Sequence, residues 1–162
     1  MTPLPPRRAP PALARPVFHE MSAEDCRALL ARNHVARLAF SFHDRVDIEP
    51  IHYVHDAGWI FGRTASGSKI RTIAHNRWIA FEVDEVDAFF DWRSVVVHGA
   101  LCVMADEGTA TERAAWRRGV ELLQRLMPGA LTPDDPTPDR QLLFRFRVDE
   151  VTGRSAATAR GD

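Results

Sequence analysis

Apolar residues recur at helical spacing in two segments of the chain. In residues 22–33 (SAEDCRALLARN) a serine can cap the helix, and Cys26, Leu29 and Leu30 fall on one of its sides. Residues 110–129 (ATERAAWRRGVELLQRLMPG) end in a Pro-Gly stop signal. Both segments are predicted to be amphipathic helices, the second with five residues available for burial: Ala115, Val120, Leu122, Leu123 and Leu126.

Elsewhere apolar and polar residues alternate, as they do in strands with one buried face. Residues 34–42 and 46–54 alternate on either side of a polar turn, and the sequence HDAG that follows predicts a hairpin with a return strand. Further strands are predicted at residues 77–86, 92–104 and 141–151. About six strands in mostly hairpin order, with two to three helices, predict a mainly β, α+β domain with a six-stranded antiparallel barrel.

The two ends of the chain differ in composition from this patterned region. Residues 1–20 are rich in proline and lack a continuous apolar core, so they are predicted to form a disordered tail and not a signal peptide. The folded domain is predicted over residues 21–152, and residues 153–162 are expected to be flexible. No window approaches the ~20 apolar residues that a membrane-spanning helix needs, so no membrane partner is expected.

Charge and cysteine content narrow the function classes. The 162 residues carry 21 basic and 22 acidic side chains, a formal net charge of −1, which gives no global reason to expect nucleic acid as a partner. Cys26 and Cys102 lack metal-ligand spacing and are typical of a reduced, cytoplasmic protein. The histidines form no HExxH or Cys/His pattern, so no metal site is predicted.

The segment from residue 61 to residue 76, FGRTASGSKIRTIAHN, joins a predicted strand to a short helix. It is not a P-loop, because Ser68 intervenes before Lys69 and Ile70 replaces the required Ser or Thr. Its small residues would still let the backbone approach a ligand, and the basic side chains Arg63 and Lys69 could neutralise a phosphate at the helix N-terminus. A serine-rich helix cap with solvated basic residues is the alternative interpretation.

Five segments follow one another along the chain: HVARLAF, IEPIHYV, GWIFGRTASGSKI, NRWIAFEVDE and WRSVVVHGAL. In this order they resemble the FMN-binding split-barrel superfamily, specifically the pyridoxamine 5′-phosphate oxidase-like proteins near the nitroimidazole-resistance branch. The resemblance extends from Met21 to Val151. It implies a six-stranded Greek-key split β-barrel, a homodimer, and FMN bound in a cleft between the two subunits.

The resemblance also implies which residues would contact the cofactor. The FMN phosphate would be bound by Thr64, Ser68 and Lys69, with backbone contacts from Ser66 and Gly67. The strand along the isoalloxazine ring would contribute Pro50, Ile51, His52 and Tyr53, and a second strand near the cofactor or the dimer mate would contribute Trp92, Arg93 and Ser94. Arg63 or Arg93, if near the pyrimidine edge of the ring, would favour the anionic reduced flavin. Trp92 could equally be a core or interface aromatic residue, and Arg93 a partner of surface acids.

Departures from the family pattern restrict the predicted activity. The chain lacks the Arg-rich strand and the Trp- and Arg-containing tail of authentic pyridoxamine phosphate oxidases, which argues against vitamin B6 oxidation. Arg63 stands where the nitroimidazole-resistance branch often has histidine, which argues against that activity as well.

An FMN-dependent oxidoreductase of unspecified substrate is therefore predicted, with no identified catalytic acid or nucleophile. A nicotinamide donor would have to dock transiently, because there is no GxGxxG motif. The alternatives are a haem-binding split barrel with His52 or His98 as axial ligand, and a cofactor-free, ligand-binding dimer.

Overall fold

The computed structural model of the protein describes residues 15–158, apart from the side chains of Phe42, Ser68, Lys69, Ile70 and Thr72. The strands are β1 (Pro16–Glu20), β2 (Val35–Phe42), β3 (Arg45–Asp56), β4 (Trp59–Thr64), β5 (Trp78–Ala88), β6 (Asp91–Ala100), β7 (Cys102–Met104), β8 (Leu142–Arg147) and β9 (Glu150–Thr158). The helices are α1 (Ala23–Arg32), α2 (Ser68–His75) and α3 (Ala110–Leu126). The predicted mainly antiparallel β architecture with helices is confirmed.

All strand pairs are antiparallel, in the order β1-β9-β6-β5-β2-β3-β4-β8-β7. Strand β7 follows β6 after the single residue Leu101 and pairs with β8, while β6 itself pairs with β5. Because only Leu101 separates β6 from β7, the sheet must curve strongly between them, as in a barrel. The nine strands in the described part of the chain exceed the six predicted, because β6 and β7 are separate and β9 and β1 extend the sheet beyond β6.

The structure differs from the predicted boundaries at both ends. Pro16–Glu20, assigned to the tail, form β1 by pairing with β9. Residues 153–158, expected to be flexible, form most of β9, which pairs with both β6 and β1. Residues 1–14 and 159–162 lie outside the described part of the chain.

The barrel interior is filled by the alternate residues that the strand pattern predicts. Three aromatic rings stack edge to face at its centre: Tyr53 lies 4.9 Å from Phe81, and Phe81 lies 5.1 Å from Phe146. All three side chains are fully buried. Burial of each such side chain contributes roughly 1.5–3 kcal/mol, so the core of the barrel holds the strands that carry the candidate site.

The two longer helices each begin at a side-chain cap, and the serine cap of α1 is the predicted one. The hydroxyl of Ser22 accepts the backbone N–H of Asp25 at 3.1 Å, and α1 buries Cys26, Leu29 and Leu30. Thr109 and Glu112 form a capping box at the start of α3. No helix among residues 15–158 combines the length and apolar character that crossing a membrane requires.

Candidate functional site

The junction between β4 and α2 is the predicted phosphate-binding segment. Thr64 is buried at the end of β4, whereas Ser66 and Gly67 are exposed. The carbonyl of Gly67 accepts the N–H of Arg71 at 3.2 Å, so helical hydrogen bonding starts at this glycine. The first turn of α2 contains no acidic residue, and its N–H groups have no partners within the helix. This geometry suits a small anion.

Gly67 faces open space. A Cβ atom built on it would meet nothing within 4 Å, so the glycine is not required by packing. A ligand can therefore reach the backbone of this turn directly. The side chains of Ser68 and Lys69 lie outside the described residues, and their contacts with a phosphate stay predictions.

Strand β3 passes beside this junction with alternating exposure. Pro50 and His52 are exposed, whereas Ile51 and Tyr53 point into the core. The hydroxyl of Tyr53 donates to the carbonyl of Leu30 at 2.8 Å, and burial raises the pKa of Tyr53. Ile51 and Tyr53 can meet a ligand on the outer face only through their backbone.

Arg63 points into the protein and is 5% exposed. Its Nη2 donates to Oδ1 of Asp135 at 2.9 Å and to the hydroxyl of Thr137 at 2.7 Å, and its Nη1 donates to Oδ2 of Asp135. The charge of Arg63 is thus paired within its own chain. The guanidinium holds the pKa of the Asp135 carboxyl well below its usual range.

Trp92, Arg93 and Ser94 lie on β6, and the strands β5, β2 and β3 separate them from β4 in the sheet. Arg93 lies 3.3 Å from a carboxylate oxygen of Asp87, and the Ser94 hydroxyl donates to Glu82 at 2.8 Å. In the sheet of a single subunit, these residues are therefore not neighbours of β4.

The outer face of β2 and β3 exposes several large apolar side chains. Val46 and Ile48 are 65% and 64% exposed, and Val35 is 57% exposed. In the register of the two strands, Val35 lies opposite His52, and Ala39 lies opposite Ile48. The alternation of β3 is the predicted one, but this face points away from the barrel core.

A cavity of about 120 Å³ opens between the end of α3 and strands β3 and β4. Seven residues line it: His52, Arg63, Leu123, Leu126, Met127, Thr137 and Arg140. The sequence pattern did not predict that the loop after α3, including Asp135, contributes here. The proline and aspartate content of this loop indicates turns, but no local signal connects it to Arg63.

Comparison with known proteins agrees with this architecture. Residues 22–155 match the family model described as pyridoxamine 5′-phosphate oxidase. An uncharacterized protein of Rhizobium meliloti (strain 1021) is 30% identical over 141 residues, which cover 84% of this chain and 93% of the relative.

Two solved structures share the fold. A FAD-binding protein of Mesorhizobium loti superposes with a TM-score of 0.71 at 22% identity, covering 88% of this chain and 99% of that one. A FAD and haem binding protein of Mycobacterium smegmatis superposes with a TM-score of 0.65 at 19% identity, covering 87% of this chain and 74% of that one. With its family model matched over most of its length, the chain belongs to the pyridoxamine 5′-phosphate oxidase family.

Proposed function

We propose that the protein is an FMN-binding oxidoreductase that acts on a small molecule and works as a homodimer. The observation that carries this proposal is the open turn at Ser66 and Gly67, which leads into a helix start free of acidic residues beside the exposed residues of β3. A phosphate ester fits this turn, because backbone N–H groups and the helix dipole both favour a negative group there.

The flavin ring would lie against β3. Pro50 and His52 present their side chains to the outer face, and the backbone of Ile51 lies between them. When bound, FMN supplies hydride or electron transfer, and the protein supplies orientation and local charge. The same face could receive a nicotinamide nucleotide that docks transiently as the electron donor.

The second subunit would cover the exposed apolar face of β2 and β3. Contiguous exposed apolar side chains such as Val46 and Ile48 are typical of interaction surfaces. Dimerisation would also allow Trp92, Arg93 and Ser94 of one subunit to contribute to the site of the other, since their own β4–α2 junction is several strands away in the sheet.

The cofactor is tested by the visible spectrum of the freshly purified protein, followed by acid release and chromatography of the chromophore. We expect flavin absorption bands and released FMN. If FAD is released instead, the protein is still a flavoprotein, but the choice of FMN is overturned. A Soret band would favour the haem alternative, for which exposed His52 and His98 are candidate axial ligands. A colourless protein that does not bind added FMN would contradict the proposal and favour a cofactor-free dimer.

A further inference from the structure

The cavity beside the end of α3 is lined by apolar residues from that end of the helix and by polar residues from the following loop. The apolar residues are Leu123, Leu126 and Met127, and the polar residues, from the loop between α3 and β8, are Thr137 and Arg140. None of the seven described residues that line the cavity is acidic. The cavity therefore combines apolar surface with basic groups.

The buried ion pair fixes the shape of this cavity. Arg63 connects β4 to Asp135 and Thr137 in the loop, and its Nη2 also contacts the sulfur of Met127 at 3.1 Å. Asp135 in turn accepts the backbone N–H of Leu131 at 2.7 Å. These bonds hold the loop against β4 beside the end of α3, so the cavity is formed before any ligand arrives.

The positive charge available to a ligand comes from Arg140. The charge of Arg63 is already balanced by Asp135, whereas the Arg140 guanidinium has no ion pair within the described part of the chain. A guanidinium without an acidic partner binds carboxylate or phosphate oxygens well, because it offers a planar set of N–H donors.

We propose that this cavity binds a small organic anion, with its apolar body against Leu123, Leu126 and Met127 and its anionic group toward Arg140. The size limits the apolar body to no more than about one small ring, because the cavity of about 120 Å³ is somewhat smaller than a cavity of about 150 Å³ in another protein that holds benzene. An aromatic or short aliphatic carboxylate is the chemical class that suits both the apolar residues and Arg140.

His52 connects this cavity to the proposed flavin site. It lines the cavity and also lies on the strand against which the flavin ring is proposed to rest. The bound anion would therefore be the substrate class of the oxidoreductase. That role rests on the proposed function, whereas anion binding itself does not require flavin.

The test is an NMR titration of the full-length protein with carbon-13 labelled leucine and methionine methyl groups. Benzoate is the probe, and benzamide is its uncharged counterpart of similar shape. We expect benzoate to shift the methyl signals of Leu123, Leu126 and Met127 saturably, and benzamide to bind about tenfold more weakly. Arg140→Gln should lower benzoate affinity by a similar factor. Arg125→Gln, which removes an exposed arginine that pairs with Glu121 on α3, should leave it unchanged.

Three results would overturn the inference: no saturable shift with benzoate, equal affinities for benzoate and benzamide in the unaltered protein, or full benzoate affinity in Arg140→Gln. The first two do not depend on whether a variant folds. Failure of the protein to bind flavin would contradict the proposed function and the substrate role, but it would leave this titration as a separate test of the anion site.

Discussion

The guanidinium of Arg63 and the carboxylate of Asp135 form a buried bidentate ion pair between residues 72 positions apart in the chain. The Asp135 side chain is fully buried. Two backbone N–H groups, from Leu131 and Thr137, also donate to this carboxylate. The pair attaches the loop after α3 to the barrel and shapes the cavity next to the candidate site.

Asp135→Ala should destabilise the protein strongly, because it leaves the charge of Arg63 buried without a partner. Loss of one member of a buried pair costs about 3 kcal/mol or more. Urea denaturation measures the free energy of unfolding, and Asp134→Ala, at the exposed neighbouring position, is the matched control with little expected effect. A loss below about 1 kcal/mol for Asp135→Ala would mean that the pair behaves like a surface ion pair.

Glu85 connects the end of α1 to β5 and should make stability depend on pH in the acid range. It accepts two hydrogen bonds from Arg32 and one from Asn33, each at 2.7 Å, and the bonds from Arg32 are the main reason that its pKa falls to about 2. A carboxylate with a lowered pKa in the folded state stabilises the protein above its unfolded pKa, and this contribution is lost as pH falls.

The urea midpoint should therefore drop as the pH falls from 5 to 2. Glu85 should contribute less than one proton to the difference in bound protons between the unfolded and folded states. Glu85→Gln should have a lower midpoint at pH 6 and should approach the unaltered protein near pH 2. If the difference between the two proteins stays constant across this range, Glu85 does not supply the effect.

His55 should make the stability of the protein depend on pH in a higher range than Glu85 does. Its Nε2 is buried without a hydrogen-bond partner among the described residues, and burial is the main cause that lowers its pKa. Protonation is then less favourable in the folded state than in the unfolded state, so stability should decrease as pH falls through about 6.5.

His55→Gln should reduce the dependence of the urea midpoint on pH between 7 and 5.5. His98→Gln is the control, because it alters an exposed histidine on β6 while His55 is still present. An undiminished slope in His55→Gln would show that another group is responsible.

Local periodicity predicts much of this fold, and the parts it misses depend on distant contacts. The buried residues of α1 and the alternate burial of Leu38 and Phe40 on β2 follow from spacing alone. Strands β1 and β9 were missed because they form by pairing with each other and with β6. Alternation also shows that Val46 and Ile48 share a face, but it does not show that this face is exposed.

The candidate site also has one part that the local sequence predicts and one part that depends on distant contacts. Small residues around Ser66 and Gly67 before a helix are visible in the sequence, so the turn could be predicted. The burial of Arg63 depends on Asp135, which no local pattern connects to it.

Ile48→Glu should convert the proposed dimer to a monomer, because it places a charge on the exposed apolar face. Flavin affinity should fall with it, since the cofactor site is proposed to include both subunits. Sedimentation velocity measures the mass, and Val103→Glu, which alters an exposed residue on β7, should remain a dimer. If Ile48→Glu keeps the mass of a dimer, or if it is a monomer with unchanged flavin affinity, the shared site is contradicted.

The most direct test of the account is the affinity of the protein for FMN, measured by flavin fluorescence in the unaltered protein, Lys69→Glu and Arg71→Glu after removal of bound cofactor. The two variants change charge equally at the start of α2, and Arg71 is exposed two positions further along.

We expect Lys69→Glu to bind FMN about tenfold to a hundredfold more weakly, because a charge-assisted contact worth about 1.5–3 kcal/mol is lost. Arg71→Glu should bind FMN about as tightly as the unaltered protein does. Equal affinities of the unaltered protein and Lys69→Glu, or no FMN binding by the unaltered protein, would contradict the account.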